Sequence, residues 1–248
     1  MAKAKSQKTE RQAKIDAIRS QQKNDEKRRG LMIVGVCVAI ALLIVGAAAY
    51  QPIKNWWDLR EFRGLDLAEI GVPASECGDV ETNVVTGETG HVQPEQVTYD
   101  DSPPAVGPHW SEEGAPAPFE RKFYTEADRP ELEALVHNLE HGYTILWYDE
   151  TIAEDAAAVT EIRGLASKFA DSNNFRTKFI AAPWTSDDGD PFPDDQHVAY
   201  SHWSIGGDGD PEGDQTGVWQ YCPSTSGEAL ETFMEDYPYL DSPEPQIP

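Results

Sequence analysis

The sequence has 248 residues, 39% of them hydrophobic, with 44 acidic against 20 basic side chains and a formal net charge of -24 at pH 7. Ten of the basic residues and four of the acids fall in positions 1–30, so the remainder carries 10 basic and 40 acidic residues, a net of -30. A surface so acidic repels polyanions, which argues against nucleic acid as a partner. It is read as a solvated acidic surface adapted to a salty exterior, with cation binding or a basic partner as the alternatives. The roughly 200 residues beyond the N-terminal segments suffice for one domain or two small ones.

In chain order, residues 1–30 form a basic tail read as cytoplasmic. Residues 31–50, Leu31 to Tyr50, contain no charged side chain. A helix of that length is about 30 Å long, the thickness of a bilayer's hydrocarbon. Lys27-Arg28-Arg29 before it marks the cytoplasmic side, and Trp56-Trp57 after it suits the far interface. The expectation is a single transmembrane helix with the N-terminus inside and everything later outside. The rival reading is a cleaved signal peptide ending near Ala47-Ala48-Ala49; the long apolar stretch and the long preceding segment speak against it.

Residues 51–75 read as a juxtamembrane stalk, 76–240 as one exported acidic domain and 241–248 as a flexible C-terminus. From Cys77 to Glu120, turn-forming Gly and Pro surround short strand-like pieces at His91–Val92 and Gln96–Tyr99. A helix is expected from an N-cap at Thr125 to Gly142, with Leu132, Leu135, Val136 and Leu139 on its apolar face. The apolar run Tyr143–Tyr148 predicts a strand, Ala153–Ala170 a helix, Lys178–Ala182 and His197–Ser204 strands, residues 206–217 a loop, and Glu228–Tyr237 a helix. This order predicts an α+β two-layer domain with a small mixed sheet.

Cys77 and Cys222 lie in the segment read as exported, where a disulfide closing a long loop is expected; a pair of thiolate metal ligands is the alternative. Cys37, inside the apolar helix, reads as a small apolar side chain. All six histidines follow the anchor. His137 and His141, four apart, share a helical face about 6 Å apart, a spacing that grips a transition metal. Glu140 between them does not complete a His-Glu-x-x-His motif. His109, after the rigid Gly107-Pro108, is a third ligand, with His91 as alternate. A histidine set without a free thiol outside the membrane suits copper or zinc. The competing reading is that these histidines only fix the fold, His141 by capping its helix. His197 and His202 point to opposite faces of their strand.

Asp208, Asp210 and Glu212 resemble the start of a calcium loop, but Trp219 stands where its last ligand belongs. They and Asp187-Asp188-Gly189-Asp190 read as solvated acidic loops. Ser102, Ser111 and Ser201 sit in no nucleophile elbow, so a hydrolase is a weak third possibility, and no catalytic residue is assigned.

The ordered series Gly90-His91-Val92, Val97-Thr98-Tyr99, Pro103-Pro104, Gly107-Pro108-His109 and Val136-His137-Asn138-Leu139-Glu140-His141-Gly142 resembles a family of membrane-anchored exported proteins common in actinobacteria, the domain of unknown function numbered 3105. The resemblance spans about Cys77 to Tyr237. It implies a short cytoplasmic tail, one anchor and an exported domain with a Cys near each end, and it implies no established activity. Ala105-Val106 departs from it, where small polar residues are expected. The functional expectation is a membrane-anchored extracytoplasmic protein that binds a transition metal through its histidines. The alternative is a non-enzymatic accessory subunit docked on a cell-envelope protein partner.

Overall fold

The computed structural model describes residues 2–93, 97–111, 115–170, 174–207 and 214–247, with side chains from Arg11 onward. The acids of the calcium-like loop, Asp208, Asp210 and Glu212, and Gln96 of one expected strand piece fall outside these residues. The chain divides into two compact units, residues 1–58 and 59–248.

The first unit is one helix, α1, Ala2–Asp58. It contains a stretch long and apolar enough to cross a membrane. Leu31, Leu42, Leu43 and Ile44 are exposed along it.

The second unit begins at Leu59, inside the segment read as a stalk. Phe62 and Ile70 are buried in its core. Phe62 lies flat against Gly164, where an added Cβ would fall 2.4 Å from its ring. Val72 donates its N–H to Thr225 O at 2.8 Å, and Gly227 to Ile70 O at 2.8 Å. Residues 59–76 are therefore the first layer of the domain.

The main sheet has five strands, β1 (Glu81–Val84), β4 (Thr144–Tyr148), β5 (Phe179–Pro183), β6 (Val198–Ser204) and β7 (Thr216–Cys222), in the order β1-β7-β6-β4-β5. Of the neighbouring pairs among these strands, only β4–β5 is parallel. Two further strands, β2 (His91–Val92) and β3 (His109–Trp110), form a parallel pair. Strand β4 alternates Leu146 and Tyr148 into one core with Ile145 and Trp147 into another. A strand buried on both faces reads as an unbroken apolar run, which is what residues 145–148 are. One face is covered by α4 (Ala156–Ala166) and α5 (Gly227–Asp236), the other by α2 (Leu132–Glu140) and the loops before it. The mixed sheet is as expected, but it is covered on both faces, so the two-layer expectation gives way to three layers.

Other differences have local causes. The α2 helix starts at Leu132, not Thr125. Asp128 accepts from the Thr125 N–H and hydroxyl in a closed turn, and Pro130 disfavours helix at Arg129. The expected helix over 153–170 is split: α3 (Glu150–Glu154) ends where Asp155 caps α4 by accepting from Ala157 and Ala158. Strand β7 replaces the end of the expected 206–217 loop. Its Gly217 hides it from pattern reading but has a purpose, since the Trp219 ring lies 2.2 Å from where a Cβ would sit. Cys77 and Cys222 are joined by a disulfide across 145 residues, tying the segment before β1 to the end of β7.

Part of the segment read as a flexible C-terminus, residues 241–247, is bonded to the domain. Asp241 accepts from Ser204 Oγ at 2.6 Å and from the N–H groups of Ile205 and Gly207. The fully buried Lys178 donates to the carbonyls of His141 (2.6 Å), Pro245 (2.9 Å) and Ile247 (2.6 Å). Burial pulls the Lys178 pKa down to about 8, which leaves an ammonium at pH 7 with all three protons used.

Candidate metal centre

Three short features converge on one point. The β2–β3 ladder pairs His91 directly with His109. Residues opposite each other in a ladder project to the same side, so their imidazoles meet with ring centroids 4.7 Å apart. The α2 helix packs against β3 and presents His137 and Glu140, three apart on one face. The His137 ring lies 4.9 Å from His109 and 5.0 Å from His91. One ligand atom from each of His91, His109, His137 and Glu140 lies within 4.8 Å of every other.

Glu140 Oε2 is the focus: His109 Nε2 is 2.9 Å from it, His91 Nε2 3.7 Å and His137 Nε2 4.0 Å. In a tetrahedral site with bonds of about 2.0–2.1 Å, ligand atoms stand about 3.3 Å apart, so small side-chain shifts would close the set around an ion.

The other ring nitrogens fix the tautomers. His109 Nδ1 donates to Gly107 O at 3.0 Å, and His137 Nδ1 to Trp110 O. His137 Nε2 then carries the lone pair and faces the focus, the orientation that outer hydrogen bonds impose on metal-bound imidazoles, while His109 Nε2 meets the Glu140 carboxylate at 2.9 Å and would turn its lone pair to an ion held there. Both His109 nitrogens thus face acceptors, while a neutral imidazole has one N–H. A cation held between Nε2 and Glu140 would satisfy both groups at once. The donor set of three imidazoles and one carboxylate fits zinc or copper(II).

Burial matches this role. His109 and His137 are buried, and the His91 side chain is 47% exposed, so it forms the rim. Burial lowers the His137 pKa, and the charge of neighbouring His109 lowers it further. Burial would raise that of Glu140, but the hydrogen bond from His109 and the three imidazoles outweigh it and hold the carboxyl below its ordinary value. At neutral pH His137 is therefore a free base and Glu140 an anion, both ready to ligate.

The Gly107-Pro108-His109 turn aims His109. Gly107 has φ +155°, and a Cβ there would meet the Tyr99 ring at 2.7 Å. Tyr99 in turn donates its hydroxyl to Pro108 O at 2.7 Å. Ala105 and Val106, which depart from the expected polar pattern, are buried in the core against α2. They are packing residues, and the Gly107 carbonyl does the polar work.

The four histidines expected to ligate are thus not all equivalent. His91, His109 and His137 share one group, whereas His141 faces Glu244, with Nε2 3.6 Å from Oε2, and groups with Glu140 and Glu244. Glu140 and Glu244 were not anticipated as ligands. The i, i+3 relation of His137 to Glu140 is a usable signal, but nothing in the sequence points to Glu244. The remaining histidines are elsewhere: His197 Nδ1 donates to Asp149, and His202 is held between the carbonyls of Tyr143 and Asp241. Asp188 forms a two-pronged pair with Arg129, and Ser201 accepts from the Trp147 indole. Both are structural.

No curated protein and no solved structure matches this chain. A family profile, described as a protein of unknown function (DUF3105), matches residues 91–248, a span that opens on His91 and holds His109, His137, Glu140, His141 and Glu244. More than half of the sequence lies in that match, and the chain belongs to the DUF3105 family.

Proposed function

We propose that this protein is a membrane-anchored domain that holds a transition metal ion, zinc or copper, outside the cytoplasm. The observation that carries the reading is the convergence of three imidazole Nε2 atoms on the Glu140 carboxylate, with the Nδ1 atoms of His109 and His137 turned to backbone carbonyls. A purely structural histidine set has no need to aim its free lone pairs at one place, and buried polar groups are costly unless partnered. The apolar α1 helix, flanked by Lys27-Arg28-Arg29 and Trp56-Trp57, supports the anchor and its direction. The Cys77–Cys222 disulfide supports an oxidising surrounding. With no nucleophile among the converging residues, the role is carrying or sensing an ion.

The test is metal content of the full chain purified in detergent, dialysed against zinc or copper(II) and then against a weak chelator. The proposal expects retained metal, lost in His109→Ala and in His137→Ala. Equal metal in the parent and both variants would refute it, because the acidic surface alone would then be the binder.

A further inference from the structure

Glu140 belongs to two ligand groups at once. One is the histidine cluster; the other joins Glu140 to His141 and Glu244, with one ligand atom from each within 4.8 Å of the others. We propose that this second group is a metal site in its own right, so that the domain holds a pair of divalent ions bridged by the Glu140 carboxylate. The inference rests on occupation of the first site.

The second group is built by the fold. His141 is buried, and its ring lies 4.5 Å from that of His137, the helical neighbour one turn before it. Its carbonyl is fixed by Lys178 Nζ at 2.6 Å. Gly142 then reverses the chain at φ +88°, where a Cβ would strike Tyr239 O at 2.2 Å. That close approach brings the C-terminal segment back over the end of α2.

Glu244 is delivered by this segment at several fixed points. Its own N–H donates to Glu140 O at 3.0 Å. Lys178 clamps the Pro245 and Ile247 carbonyls behind it, and Asp241 is bonded to the end of β6 in front of it. Such a segment, more than 100 residues away in sequence, places an acid beside a buried histidine and a second carboxylate.

The chemistry fits a hard or borderline divalent cation. Two carboxylates and one neutral imidazole offer two negative charges, and three protein ligands leave positions for water or substrate. A carboxylate has two oxygens, and one that bridges two ions holds them about 3.5–4 Å apart, the spacing of paired sites that clamp a phosphate or a bound water between them. The Glu244 side chain is 42% exposed, so the second ion lies on the solvent side, and exchangeable ligands reach it.

The experiment is metal stoichiometry and copper electron paramagnetic resonance on the full chain in detergent, for the parent and for Glu244→Gln. The Glu244 side chain is half-exposed and Gln keeps its size and its backbone contacts, so folding is preserved. The expected result is about two equivalents in the parent, with a half-field transition from a coupled copper pair, and about one uncoupled equivalent in Glu244→Gln. One equivalent in both proteins overturns the second site and leaves the first standing. Two equivalents with no coupling, or no drop in Glu244→Gln, also overturn it. No bound metal in either protein removes the first site as well.

Discussion

The two faces of the sheet are built from the same strands but do different things. On one face α4, α5 and the segment from Phe62 to Cys77 bury an apolar cluster that includes Leu146, Tyr200, Val218 and Phe233, closed by the disulfide. On the other, α2 and its preceding loops bury Leu135, Leu139 and Trp147 beside His109, His137, His141 and Lys178. Burying polar groups costs free energy unless each is partnered. One face therefore supplies stability, and the other spends some of it on holding ligands in place.

That contrast can be broken from the apolar side first. Replacing both Cys77 and Cys222 by Ser should lower stability by roughly 4–5 kcal/mol, as the loop-entropy of a 145-residue closure implies, while the melting shift on adding zinc stays the same in size. Phe233→Ala, a buried aromatic on the same face, should cost about 3–5 kcal/mol, again with the zinc shift intact. Loss of the zinc shift in either variant would couple the two faces.

From the ligand side the pattern inverts. A site at 100 times its dissociation constant stabilises by about 2.7 kcal/mol, and His137→Ala should erase that increment in calorimetry. Acid should erode it too. The lowered His137 pKa means that the folded, metal-free domain binds fewer protons than the unfolded chain. Its share of stability is present above the ordinary value near 6.5 and drains as pH falls through the lowered one. Protons compete with metal in the same direction, so the zinc increment should shrink by about 1.4 kcal/mol per pH unit for each proton displaced. A flat increment from pH 7 to 5 would speak against imidazole ligands. The smallest effect is on the α5 cap: Ser226 accepts from Ala229 N–H, so Ser226→Ala should cost about 1 kcal/mol and leave metal binding untouched.

Much of this contrast could be read from the residues, and the misses have reasons. The apolar α1 stretch follows from its uncharged length, and α2, β4 and β6 follow from their apolar patterns, because burial dictates the side chains of those three. The β1 strand was hidden because all four residues of Glu81–Val84 are exposed at the sheet edge, so no apolar pattern marks it. Strand β7 was hidden by Gly217, which leaves room for Trp219. The site was half legible: His137 to His141 spacing and the Gly-Pro-His turn point to a histidine centre. The pairing of His91 with His109 depends on a two-residue ladder, and Glu244 arrives through a tail held by Lys178. Neither long-range contact leaves a local trace.

The most direct test of the metal centre is anomalous diffraction from crystals of the detergent-purified chain grown with zinc or copper(II). A peak about 2.0–2.1 Å from the Nε2 atoms of His91, His109 and His137 is the predicted result. No peak among those three atoms, with metal found only on the acidic surface, would contradict it.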